Sequence, residues 1–160
     1  MADMASRRLG VLRPMLIGAI VSAGCGPPSG RPAGSQKAQS VPILEEVLRY
    51  ELQQFVDKAQ EPPGTVVCLA IVNGQRVLDP PGDLLARLNR GPRVSAKSRC
   101  ATPDAIELTA GPIHWVSETE ARVAGTFRKE GSGLTPLTYR VVFEAGRWSC
   151  LGPIIDYDPL

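Results

Sequence analysis

The chain reads as an α+β protein in which an N-terminal helix packs on a curved antiparallel sheet, in the order α-β-α-β-β-β-β. Three stretches predict this class. Ile43–Ala59 repeats apolar residues at steps of three and four. Thr65–Val72 is almost wholly apolar and rich in β-branched residues. Ile106–Leu151 alternates apolar and polar residues through four short segments divided by turn residues. With 160 residues, 43% of them hydrophobic and 21% charged, the chain suits one compact domain.

Residues 1–24 read as a targeting segment. Arg7, Arg8 and Arg13 make a positive start, and Met15–Ala23 is a run of apolar or small residues too short to span a bilayer. Residues 25–41 follow as a tether rich in Pro, Gly and Ser, with almost nothing to bury. The folded domain is then expected over 42–155, with 156–160 as a surface tail.

Within the domain, Ser40 is placed to cap the first helix and Pro42 suits its first turn. Ile43, Val47, Leu48, Leu52, Phe55, Val56 and Ala59 form its apolar face, opposite Glu45, Glu46, Arg49, Gln53 and Lys58. Pro62-Pro63-Gly64 stops it. Thr65–Val72 reads as a strand buried on both faces, between the helix and another layer. Asn73-Gly74 marks a turn. Leu84, Leu85 and Leu88 belong to a short second helix that Gly91-Pro92 ends. In the meander, Gly111-Pro112 predicts a break or bulge, Ser117–Glu120 a polar turn and Gly131–Gly133 a loose loop. Ala121, Val123, Gly125 and Phe127 are expected to share one face, and so are Tyr139, Val141 and Phe143. Glu144–Arg147 joins the last two strands and leads into Trp148.

Charge argues against nucleic-acid binding. The whole chain carries 18 basic and 16 acidic residues, and after residue 24 there are fifteen of each. Arg87, Arg90, Arg93, Lys97 and Arg99 are the densest basic stretch. They read as a solvated helix face and loop, since no aromatic residues interleave.

Beyond Cys25, three cysteines remain: Cys68, Cys100 and Cys150. One disulfide is expected in an oxidising compartment. Cys68–Cys100 is favoured because it ties a strand to the segment after the second helix, and Cys100–Cys150 is the alternative. The first pairing leaves Cys150 as a buried thiol. With no Cys-x-x-Cys and one histidine, neither a metal nor a cofactor is expected.

Ser22-Ala23-Gly24-Cys25 resembles the lipobox of bacterial lipoproteins. Ser22 stands where that family prefers a large aliphatic residue. The resemblance implies lipid on Cys25, which becomes the mature N-terminus. It implies a protein anchored to the bacterial cell envelope, facing the periplasm or the surface. Helix, strand, helix and a four-strand meander ending Gly146-Arg147-Trp148 are together similar to the nuclear-transport-factor-2-like and cystatin-like group. That group wraps a curved sheet around a long helix and includes isomerases, ligand-binding modules and silent interaction domains.

The candidate chemistry is sparse. His114, the sole histidine, should point away from the face of Ile113 and Trp115. It could act as a general base with Asp104 or Glu118 if its face lined a pocket. No Gly-x-Ser-x-Gly surrounds Ser95, Ser98 or Ser149, and Asp79, Asp83, Asp156 and Asp158 match no calcium loop. Trp115, Phe127, Tyr139, Phe143 and Trp148 are expected to cluster against the helix as core. Two functions follow. One is a lipid-anchored, non-catalytic domain that binds an envelope protein or a small apolar ligand. The other is a small nuclear-transport-factor-2-like enzyme using His114 and a nearby carboxylate.

Overall fold

The computed structural model describes residues 32, 34–54, 62, 64–89, 93–102 and 104–155. It contains α1 (Gln36–Leu52), β1 (Val66–Asn73), β2 (Arg76–Leu78), α2 (Gly82–Leu88), β3 (Arg93–Ala96), a 3-10 turn (Lys97–Arg99), β4 (Ile106–Trp115), β5 (Glu120–Arg128), β6 (Thr135–Glu144) and β7 (Arg147–Pro153). The class is α+β, as expected, and the described residues form two helices and a curved, mostly antiparallel sheet of seven strands. The order differs from expectation by two strands, β2 and β3.

The sheet runs β1-β4-β5-β6-β7, and the free side of β1 is shared by two short strands. β3 pairs in parallel with the first half of β1, from Val66↔Arg93 to Leu69↔Ala96. β2 pairs antiparallel with its end, from Ile71↔Leu78 to Asn73↔Arg76, across the turn expected at Asn73-Gly74. β1 and β4 are also parallel, so apart from the short β1–β2 pair the sheet is antiparallel from β4 onward. β1 is flanked on both sides and all but buried, hence its unbroken apolar run.

Direct register partners share a face. The inner face carries Leu108, Ile113 and Trp115 from β4, Ala121, Val123, Gly125 and Phe127 from β5, and Tyr139, Val141 and Phe143 from β6. β7 adds Trp148 and Cys150. The alternation read from the sequence therefore assigns these side chains correctly. α1 lays Ile43, Val47, Leu48 and Leu52 on this face, all at most 5% exposed, and α2 adds Leu84, Leu85 and Leu88 to the same core. On the outer face of β1, Cys68 bonds Cys100 just beyond the 3-10 turn, a covalent staple between the strand and the segment after β3.

α1 begins earlier than the sequence suggests. The cap is Ser35, whose hydroxyl accepts the Ala38 N–H at 3.4 Å, not Ser40. Ser40 lies inside the helix and donates its hydroxyl to the Gln36 carbonyl. Pro42 is interior too, where its missing N–H forfeits one helical bond. The first turns are held by tertiary contact, because Gln39 reaches Trp148 on β7. Residues 36–41, expected in the tether, are thus helical. Phe55, Val56, Lys58, Ala59, Gly91, Pro92, the leader with Cys25, and the tail at 156–160 lie outside the described residues.

β4 crosses its predicted irregularity without ending. The register to β5 shifts between Ala110 and Ile113, and Gly111 has φ +106°. The turn between β6 and β7 holds Ala145 at φ 52° and Gly146 at φ 81°. Positive φ at both central residues matches the twist of a tight hairpin. Among the described residues no helix is long and apolar enough to cross a membrane.

Candidate functional site

A groove of about 570 Å³ opens between the N-terminal half of α1 and the β6–β7 hairpin. Phe143 and Trp148 give it an aromatic wall, Glu45 and Glu46 line the helix side, and Arg87 and Arg147 stand at its ends. The wall is rigid. Trp148 packs edge-on against Phe143 at 5.3 Å between ring centres and against Trp115 at 5.7 Å. Its indole Nε1 donates to Gln39 Oε1 at 2.9 Å. The expected aromatic cluster is thus real but divided: Tyr139 lies elsewhere, edge-on to Tyr50 at 5.8 Å under the C-terminal half of α1.

The acidic side is partly neutralised. Glu45 accepts from Arg49 Nη2 at 2.6 Å and from Arg87 Nε at 2.9 Å, and Arg87 also holds Asp83 at 2.8 Å. The Arg87 fork therefore joins α1 to α2. Burial pushes the Glu46 carboxyl above its usual range, with Arg49 pulling the other way. The groove can thus offer a stacking surface, the Glu46 carboxyl and the exposed guanidinium of Arg147.

A second polar feature lies in the core. Glu51 is fully buried, and among the described residues neither of its oxygens has a hydrogen-bond partner, nor has the Tyr139 hydroxyl. Burial holds the Glu51 carboxyl well above the usual range, with the Tyr139 hydroxyl pulling the other way, and the Tyr139 phenol is likewise raised, first by burial and then by Glu51. Cys150 is half-buried beside them. Burial pushes its thiol up to about 11, with Glu51 and Glu46 adding to the rise. The sequence carried a signal for Glu51, because it stands four residues after Val47 and three after Leu48, on the apolar face.

The residues singled out from sequence do not converge on one site. Cys68 and Cys100 are joined, with Cα atoms 6.0 Å apart, and Cys150 carries the free thiol among the described cysteines. His114 is exposed on the outer face, opposite Arg122, which in turn faces Arg140. That row is turned away from α1. Asp104 lies beside Glu130, at the other end of β4 from His114. Glu118 is exposed in the bend after β4. His114 and the two acids considered with it thus lie at separate places on the sheet. Among the described residues no cluster of His, Cys, Asp and Glu could hold a metal. Arg87, Arg93, Lys97 and Arg99 fall on α2, on β3 and on the 3-10 turn. Arg87 and Lys97 face acids, at 2.9 Å from Glu45 and 3.1 Å from Glu107.

No known family model matches this chain, and neither a curated protein nor a solved structure matches it.

Proposed function

We propose that this chain is a bacterial envelope lipoprotein, anchored through lipid on Cys25, whose domain is a non-catalytic binding module of the nuclear-transport-factor-2-like or cystatin-like kind. The observation that carries this reading is how the sheet's two faces are used. The apolar face of α1 occupies the inner face of the sheet, where enzymes of this architecture would need a cavity. His114, the residue on which an enzymatic reading rests, stands exposed on the opposite face. The groove beside Trp148 and Phe143, open and mixed in chemistry, suits a segment of a partner protein. The tether would hold that groove near the membrane, because it leads directly into α1, one wall of the groove.

Two measurements test this. Intact mass of the membrane fraction should show the chain beginning at Cys25 with acyl chains attached, and an unmodified soluble mature form would refute the anchor. A photoreactive residue at Gly146 should capture a defined envelope protein in intact cells, and the same probe at exposed Ser132 should not. Identical capture from both positions would remove the groove from the proposal.

A further inference from the structure

Beneath the C-terminal half of α1 lies a group that neither the groove nor the tether uses. Glu51 sits fully buried and unpartnered among the described residues. Among the described residues, the titratable groups around this cluster come from α1, β6 and β7. β6 contributes Tyr139, β7 contributes Cys150, and α1 itself contributes Tyr50, with Glu46 acting on Cys150 from one turn back. β5 brings Gly125 against the carboxyl, with the Thr109 carbonyl of β4 beside it. None of these side chains carries a positive charge, and the Tyr139 hydroxyl, which favours the ionised carboxyl, offsets burial only in part. The carboxyl also has no slack. A Cβ placed on Gly125 would lie 2.8 Å from Glu51 Oε1 and 2.7 Å from Tyr139 Cε2, so both groups lie close against bare main chain. Glu51 cannot swing to water unless the turn that carries it moves.

We propose that Glu51 is a proton-operated latch for the C-terminal end of α1: protonated, it lets the Glu51–Leu52 turn seat on β5, β6 and β7, and ionised, it drives that turn off the sheet. A neutral carboxyl can be accommodated in such a site, whereas an unpaired carboxylate costs far more. One helical turn opens locally at lower cost than the whole domain, so this turn yields before the sheet does. Burial makes the closed form hold its proton more tightly than a free glutamate, whose ordinary value is 4.5. Opening is therefore coupled to proton release. It increases as pH rises from that value to the raised one, and is constant above it.

Hydrogen exchange on the full mature chain, corrected for the intrinsic base-catalysed rate, tests the latch. Amides of 48–52 and 137–141 should lose protection by about tenfold per pH unit across that window. Amides of Val67–Leu69 on β1 should stay at least about tenfold better protected throughout. Glu51→Gln should remain at the acid-side level of the wild type at every pH. A flat wild-type profile, a slope that survives in Glu51→Gln, or equal protection in α1 and β1 would each overturn the proposal. Carbon-13 titration of the wild-type Glu51 carboxyl gives a readout that does not depend on the variant folding. It must titrate above the ordinary glutamate range, and titration within that range overturns the latch.

Discussion

Trp148 on β7 donates its indole N–H to Gln39 on α1 at 2.9 Å, across 109 residues of sequence. This bond fixes the first turns of the helix over the hairpin and closes one side of the groove. Trp148→Phe removes the donor but keeps an aromatic ring, and Gln39→Ala removes the acceptor. Each should lower unfolding free energy in urea by about 1 kcal/mol or more. The double variant should cost less than the sum of the two, by about 0.5–1.5 kcal/mol. Strict additivity would mean that the bond does not hold α1 in place.

Stability should fall as pH rises because of Glu51. Its folded-state pKa lies above the unfolded value, so the native state binds more protons than the unfolded chain. The contribution is fully present below the ordinary value of 4.5 and is lost as pH rises through the raised one. Within that window the slope due to this group is about 1.4 kcal/mol per pH unit. Glu51→Gln should flatten the profile and be more stable than the wild type at neutral pH. Urea unfolding at pH 5 and pH 8 decides the matter, and a variant that keeps the wild-type difference would assign the slope to another group.

The Cys68–Cys100 bond closes a loop with a sequence separation of 32. Constraint of the unfolded chain by a loop of this length contributes about 3–4 kcal/mol. Cys68→Ala with Cys100→Ala should therefore lower stability by about that amount. Reduction of the wild type should do the same, while Cys150→Ala should leave the disulfide and the response to reductant unchanged. A wild type indifferent to reductant would show that the staple adds nothing beyond the packing around β1.

The antiparallel half of the fold was legible because β4–β7 have one core face and one wet face, and such strands write their orientation into alternate residues. The same rule put Val123 with Phe127 and Tyr139 with Phe143 on the inner face, and His114 away from Trp115. β2 and β3 left no comparable trace. Arg76–Leu78 is exposed throughout, and Arg93–Ala96 mixes Arg and Ser with two apolar residues. Both become strands because β1 offers them an edge, a tertiary effect that no window of sequence contains. The helix start was misplaced because Ser40-Pro42 imitates a cap and first turn, whereas Ser35 is the cap and Trp148 supplies the distant contact. Glu51 was readable from its spacing but hidden by its charge, since an acid among leucines is ordinarily assigned to the wet side.

Gly111 should not tolerate a side chain. Its φ of +106° disfavours every L-residue, and a Cβ there would lie 2.2 Å from the Val72 carbonyl oxygen on β1. The obstruction is backbone, so it cannot be relieved by a rotamer change. Gly111→Ala should cost on the order of 3 kcal/mol, combining conformational strain with overpacking. Denaturant midpoints measure this. A loss below about 1 kcal/mol would mean that β1 and β4 can separate locally without penalty.

The β6–β7 turn predicts the opposite sign. Ala145 is held at φ 52°, a conformation that costs a Cβ-bearing residue about 1–2 kcal/mol unless its side chain can bond locally. Gly146 already supplies the second positive φ at no such cost. Ala145→Asn would create the Asn-Gly pair that tight hairpins favour, and both residues are exposed, so no packing is lost. The variant should gain up to about 1 kcal/mol, seen as a raised Tm with an unchanged denaturant slope. Ala145→Gly should gain less, because its freer unfolded chain offsets part of the relief. Ala145→Val should lose stability, since a β-branched residue fits this region worst. That ranking, Asn above Gly above Ala above Val, is the test. A series that instead followed hydrophobicity would show that the hairpin tip is governed by contact with the neighbouring groove and not by its own backbone.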